Sequence, residues 1–137
     1  MAKICEGRVC IVTGAGRGIG REHARMLAEQ GARLVLNDTG GHTDGTGVDP
    51  SVVQAVADEI TAAGGEAVVS TDSVSSWEGA QRLVNQAVET YGDLHVLINN
   101  AGILRDRVLA NMTEEEWDAV IDVHLKGTFA PSRWAAP

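Results

Sequence analysis

The stretch VCIVTGAGRGIG, residues 9–20, constrains what this chain can fold into more than any other. Arg8 and the run Val9-Cys10-Ile11-Val12 read as a short buried strand: almost wholly apolar, rich in β-branched residues and closed by a turn signal. Thr13 follows, then glycines at 14, 16, 18 and 20, and a helical pattern begins at once. Strand, glycine turn and helix in that order suit a nucleotide pyrophosphate. Glycine lets the backbone approach the phosphates, and the free N–H groups and positive dipole end of the helix face their charge. The literal G-x-G-x-x-G does not fit, because position 19 is Ile; the spacing is Gly14-x-x-x-Gly18-x-Gly20. Glycine also serves ordinary turns, so the context has to decide.

That context is an alternation of elements. Ile19, His23, Met26 and Leu27 fall at i, i+4, i+7 and i+8, one face of a helix that Gly31 stops. Residues 33–38 are a second buried strand ending in an acid, and residues 39–49, TGGHTDGTGVD, are a loop. His42, Asp44 and Asp49 lie in that loop without metal-ligand spacing, so no metal is expected. Asp49 caps and Pro50 opens the next helix, with Val53, Val56 and Ile60 as its buried stripe and Gly64-Gly65 at its end. Residues 66–72 are a third strand. Trp77, Ala80, Leu83, Val84, Ala87, Val88 and Tyr91 then give the clearest helical periodicity in the chain. A fourth strand, residues 94–98, runs into Asn99-Asn100-Ala101-Gly102. Thr113 and Glu116 have capping-box spacing for a last helix, whose stripe is Trp117, Val120, Ile121 and Leu125, with His124 on the same side.

Strands alternating with crossover helices predict a doubly wound parallel α/β sheet of about four strands with flanking helices. In such a sheet ligands sit at the C-terminal ends of the strands. The Gly14 to Gly20 turn, Asp38, Asp72 and Asn99-Asn100-Ala101-Gly102 all fall at such ends. Asp38 stands where an acid accepts hydrogen bonds from an adenosine ribose, a reading preferred over a simple turn cap. A carboxylate there repels a 2′-phosphate and so favours NAD over NADP. Arg17, in the glycine turn, is the counterweight, but an ionised oxygen close to phosphate costs several kcal/mol in a shielded site. Asp72 bonds the adenine amino group or caps the helix after it, the former preferred. Asn99 and Gly102 let the fourth strand's end lie against the cofactor.

Length and composition exclude several classes. The 137 residues suffice for one domain with one core, and 44% hydrophobic residues make disorder an unsuitable description. Eleven basic residues against 19 acids give −8, and the basic ones are scattered, so neither nucleic acid nor an anionic membrane is an expected partner. No apolar run approaches the roughly 20 residues of a membrane span. Met1-Ala2-Lys3 leads into the first strand without a signal-peptide pattern, and Cys5 and Cys10 read as free thiols of a cytoplasmic protein.

The chain resembles the short-chain dehydrogenase/reductase family through the Thr13-Gly14-Ala15-Gly16-Arg17-Gly18-Ile19-Gly20 turn, Asp72 and Asn99-Asn100-Ala101-Gly102, in that family's order and spacing. It is similar in particular to the subgroup of (3R)-hydroxyacyl-CoA dehydrogenases within peroxisomal multifunctional enzyme type 2 and bacterial relatives. Asn37-Asp38 with Gly40-Gly41, Asp72-Ser73-Val74, NNAGILRDR from Asn99 and VHLKGTF from Val123 carry that likeness. The resemblance implies a Rossmann-type sheet and NAD-dependent oxidation of a secondary alcohol, on an acyl-CoA thioester or a steroid. It implies cofactor contacts at Thr13, Gly14, Gly16, Arg17, Gly18, Ile19, Gly20, Asp38, Asp72, Ser73, Asn99, Ala101 and Gly102.

Two positions depart from the family. His124 stands where relatives usually carry an asparagine that holds a water of the proton relay; a catalytic relay role and a histidine packed on its helix's apolar stripe both stay open. His95 stands where many relatives have an aspartate that braces the sheet. The family's chemistry also needs a serine and a Tyr-x-x-x-Lys, in which the lysine lowers the tyrosine's pKa. The one tyrosine, Tyr91, is followed four residues on by His95, and Ser132 comes too early to be the catalytic serine. The expectation is therefore the NAD-binding N-terminal half of such a dehydrogenase, residues 1–137, truncated at about half the family's length. Its substrate would be a small molecule once the other half completes it. Residues 94–98 would be left as an apolar edge strand, which predicts a homo-oligomer or self-association. The alternatives are a non-catalytic nucleotide-binding or interaction module, and, more weakly, a sugar-nucleotide epimerase or dehydratase.

Overall fold

The five residues of β1 (Val9–Thr13) are all buried, the pattern of a strand covered on both faces. In the computed structural model, which describes residues 2–137, β1 lies between β2 (Arg33–Asn37) and β4 (Val96–Ile98), and β3 (Glu66–Ser70) flanks β2. All three pairings are parallel, with Val9 opposite Arg33, Cys10 opposite Val96 and Arg33 opposite Glu66. The order β3-β2-β1-β4 and the intervening helices α1 (Gly18–Glu29), α2 (Pro50–Ala62) and α3 (Trp77–Tyr91) make a doubly wound α/β sheet, as expected.

Alternation along the strands sorts the core into two layers. Cys10, Val12, Leu34 and Leu36 face α1 and α2, meeting Ala24, Val53, Val56 and Ile60. Val9, Ile11 and Val35 face α3, meeting Leu83, Val84 and Ala87, with Trp134 packed alongside. Burial pushes the Cys10 thiol up to about 11, so it is a small hydrophobe rather than a nucleophile. Asp49 caps α2 as expected, accepting from Ser51 N–H; Ser76 caps α3, accepting from Gly79 N–H, and Gly92 closes that helix in the left-handed region.

Three packing expectations are corrected. On α1, Ile19 is 71% and Met26 54% exposed, while Gly20 and Ala24 are buried with Leu27 and Ala28 beside them. The inner face is set by the smallest side chains, which let the helix lie close to β1. Val88 is exposed, because Ala80, Leu83, Val84 and Ala87 already fill the α3 contact. The last helix is longer than expected and interrupted. It runs as α4 (Glu114–Ile121), a π-turn (Asp122–Lys126) and α5 (Gly127–Ala135). The interruption rotates the two parts relative to each other, and Trp117 (58%) and Leu125 (65%) are exposed rather than forming a buried stripe.

His95 explains why β4 starts two residues later than expected. Its N–H donates to the Val9 carbonyl, but its ring Nδ1, 2.9 Å away, accepts the Val9 N–H in place of a main-chain oxygen. The histidine thus braces β1 against β4. Removing it by His95→Ala leaves the N–H of fully buried Val9 without an acceptor, a cost of about 1–3 kcal/mol. Urea titration of the variant is expected to show that loss with an unchanged slope.

Candidate cofactor site

The site begins with Thr13, whose side chain is completely buried at the end of β1. Its hydroxyl donates to the Ile98 carbonyl (3.3 Å) and accepts from the N–H groups of Asn100 and Ala101 (3.0 Å each). In return the Asn100 amide donates to the carbonyls of Thr13 and Gly14 (3.1 Å each). Together they clasp the glycine turn after β1 to the loop after β4. The clasp leaves no room for side chains: a Cβ on Gly14, which has φ +66°, would sit 2.9 Å from the Asn100 amide nitrogen, and one on Gly20 would sit 2.1 Å from the Gly14 oxygen.

Asp38 lies at the rim formed by the next strand. One carboxylate oxygen accepts Gly16 N–H and the other Gly40 N–H, both at 2.8 Å. Each oxygen keeps lone-pair capacity for a further donor. Arg17 is turned aside, with its guanidinium donating to the Gly41 carbonyl at 2.9 Å. Asn37, buried at the end of β2, donates to the carbonyl of Asp72 (2.8 Å) and fixes the chain there. The Asp72 carboxylate takes the Nε and Nη2 of Arg82 at 3.0 and 2.8 Å. It does not cap α3, since Ser76 does so.

These strand ends enclose a cleft of about 440 Å³. Of the residues expected at a cofactor, Gly14, Arg17, Asp38, Asp72, Ser73, Ala101 and Gly102 line it. Thr13, Gly16, Gly18, Ile19, Gly20 and Asn99 are not among its lining residues. Thr13 and Gly20 act through the clasp, and Asn99 donates to the Ser132 hydroxyl (3.0 Å). Asn100 lies in the expected motif without an expected role of its own, yet its amide completes the clasp, and Arg105 and Asp122, for which no role is expected, line the cleft. An Asn-Asn pair after an apolar strand was the available signal for the first. Nothing in the spacing marked the other two.

His124 is carried by the π-turn and is exposed, so it is not packed on an apolar stripe. Its Nε2 lies 3.1 Å from the Ile103 nitrogen and 2.9 Å from the Ile103 oxygen, accepting from the one or donating to the other according to its tautomer. A Cβ on Gly102 would meet the ring at 2.8 Å, so the glycine makes way for the imidazole. In the loop after β2, Thr46 and Ser51 hydrogen bonds hold the Asp44 and Asp49 carboxyls below the usual carboxylate range.

The family description "short chain dehydrogenase" matches residues 8–137. The chain belongs to the short-chain dehydrogenase family. It is 48% identical over 132 residues to peroxisomal multifunctional enzyme type 2 of Drosophila melanogaster, across 96% of this chain and 22% of that protein. To a hydroxyacyl-CoA dehydrogenase of Mycobacterium tuberculosis it is 45% identical, across 95% of this chain and 39% of the relative. The crystal structure of a short chain dehydrogenase from Mycobacterium avium superposes with a TM-score of 0.89 at 57% identity, covering 97% of this chain and 46% of that one. Two further structures carry a cofactor. A metagenomic short-chain oxidoreductase holds NADP (TM-score 0.85, 38% identity, 96% and 56% covered), and carveol dehydrogenase from M. avium holds NAD (0.89, 28%, 100% and 50%). The chain thus spans between about a fifth and just over half of these proteins. Short-chain dehydrogenases bind a nicotinamide dinucleotide, act on small molecules and oligomerise. Among the described residues no helix is long and apolar enough to cross a membrane.

Proposed function

We propose that residues 1–137 form the NAD-binding half of a short-chain dehydrogenase that oxidises a secondary alcohol, with a 3-hydroxyacyl-CoA or a steroid as substrate. The observation that carries this reading is the Asp38 carboxylate, fixed by Gly16 and Gly40 at the rim of the cleft. The residues fit a dinucleotide on geometric grounds: Gly14 and Gly16 let the turn close tightly on Asn100, Ala101 and Asp38, where a Cβ would clash, and a Cβ position at Gly18, where α1 starts, is open. The first N–H groups of α1, at Gly18 and Ile19, suit the diphosphate. Asp38 accepts from the adenosine ribose hydroxyls, and Asp72 with Ser73 serves the adenine. Asn99, Ala101 and Gly102 border the nicotinamide end. When bound, nicotinamide supplies the hydride acceptor. His124 holds Ile103 beside that end and serves the proton relay as a positioning residue.

NAD is preferred to NADP because Asp38 presents negative charge to a 2′-phosphate while Arg17 is engaged by Gly41. The substrate class rests on the hydroxyacyl-CoA dehydrogenase among the relatives. Location in the cytoplasm is part of the proposal, although several relatives are peroxisomal by name.

A second reading, a nucleotide-binding module completed by another subunit, is favoured by Tyr91. Its hydroxyl donates to the Leu34 carbonyl and burial raises its pKa, so it is no acid–base catalyst. The tyrosine and lysine of the reaction must be supplied from outside these residues. The edge strand β4 and the exposed Trp117 and Leu125 also support self-association. The melting temperature is then expected to rise with protein concentration; a monomer with a sharp, concentration-independent melt would count against it.

Calorimetric titration tests the cofactor reading. The chain is expected to bind ADP-ribose more tightly than its 2′-phosphorylated form. Asp38→Ala is expected to weaken ADP-ribose about tenfold or more, as loss of a charged hydrogen-bond acceptor does, and to remove the discrimination. Equal binding of both ligands by the unaltered chain would overturn the preference for NAD.

A further inference from the structure

The loops after β2 and β4 are tied to each other across the mouth of the cleft. In the sheet these strands lie on either side of β1, so a tie between their loops passes over the glycine turn. The Thr43 carbonyl accepts Leu104 N–H at 2.9 Å, and the Asp44 carbonyl accepts the Arg105 Nε–H. Gly45, with φ +88°, lies flat on Ile103, where a Cβ would come within 2.9 Å of the isoleucine Cδ1. A third anchor is the Gly41 carbonyl, held by Arg17 from the glycine turn itself.

The segment is built as a unit. His42 N–H donates to the Thr46 carbonyl (2.8 Å), and the Asp44 carboxylate accepts from the Thr46 N–H and hydroxyl (2.9 and 2.6 Å). Its two ends meet where Asp49 N–H donates to the Thr39 carbonyl (2.8 Å). Its ties to residues 103–105, by contrast, are two hydrogen bonds and one small contact, and residues 42–47 are exposed. Exposed hydrogen bonds exchange readily for water. A rigid loop with a closed base and weak distal ties moves as a body about that base.

We propose that residues 41–47 are a strap closed over the cleft, which must release residues 103–105 for a dinucleotide to enter or leave. The proposal rests on the cleft being the dinucleotide site. The strap couples the adenosine side, through Arg17 and the base beside Asp38, to the segment that His124 grips at Ile103.

A cross-link tests it. Thr43→Cys with Leu104→Cys places two thiols at hydrogen-bonded neighbours, where a disulfide fits. Stopped-flow binding of ADP-ribose is expected to slow about tenfold or more on oxidation and to recover on reduction. Equal rates in the two redox states overturn the strap while leaving the cofactor reading intact. Should the double variant not fold or not cross-link, amide exchange of the unaltered chain decides. Saturating ADP-ribose is expected to slow exchange at Leu104 about tenfold more than at Val12, a core-strand amide. No selective slowing at Leu104 overturns the proposal. If the unaltered chain binds no ADP-ribose at all, the cofactor reading fails and the strap with it.

Discussion

Gly20→Ala is expected to disrupt the core and the cleft together. The added methyl would lie 2.1 Å from the Gly14 carbonyl oxygen and 2.5 Å from the Asn100 amide nitrogen. Neither neighbour is the free end of a flexible side chain: one is main chain and the other is held by two hydrogen bonds. Helix α1 must therefore lift from β1, and overpacking of this kind costs about 3 kcal/mol. The melting temperature should fall by on the order of 10 °C and ADP-ribose binding should be lost. Gly18→Ala is the control. A Cβ there meets nothing within 4 Å, and only the φ of +55° opposes it. That variant should lose about 1–2 kcal/mol and keep its core packing. Circular dichroism melts of the pair separate steric exclusion from backbone conformation. An unchanged melt for Gly20→Ala would mean that α1 is not seated against the turn.

Thr13→Val is expected to have the second largest effect, although it barely changes shape. It removes one hydroxyl that serves three partners and leaves the N–H groups of Asn100 and Ala101 without their acceptor. Unpaired, partly buried donors cost about 1–3 kcal/mol each, so a loss near 3 kcal/mol is expected in a denaturant titration. Thr13→Ser keeps the hydroxyl and gives up one methyl, for which about 1 kcal/mol is expected. ADP-ribose affinity should fall for valine and hold for serine. Equal losses for both would locate the contribution of Thr13 in its methyl packing rather than in the clasp.

What could be read from the sequence was whatever depends on local pattern. Buried strands such as residues 9–13 announce themselves by unbroken apolar runs, and helix starts such as Asp49-Pro50 by adjacent cap and first-turn residues. Their alternation implied a parallel sheet, and the features at the strand ends met at one cleft. The misreadings share a cause. Scoring α1 by large apolar residues pointed to Ile19 and Met26, whereas the tightest contact belongs to Gly20 and Ala24, which carry little hydrophobic signal. The π-turn at residues 122–126 shifts the helical phase by its extra residue, which no fixed period anticipates. The part Thr13 plays in the clasp was not legible either, because its side-chain partners lie in a distant stretch that spacing alone does not join to it. His95 does the bracing expected of an aspartate, since an unprotonated ring nitrogen accepts an N–H as a carboxylate oxygen does.

The clasp at Thr13 also governs when a newly made chain becomes competent. The glycine turn is synthesised before the groups that fix Thr13, which follow that residue by 85, 87 and 88 positions. At the usual pace of translation that is a delay on the order of ten seconds. Throughout it, β1 has no β4 beside it, and its apolar residues stay open to chaperones or to other nascent chains. Nucleotide binding is accordingly expected to stabilise a fold that is already nearly complete rather than to assist its first steps.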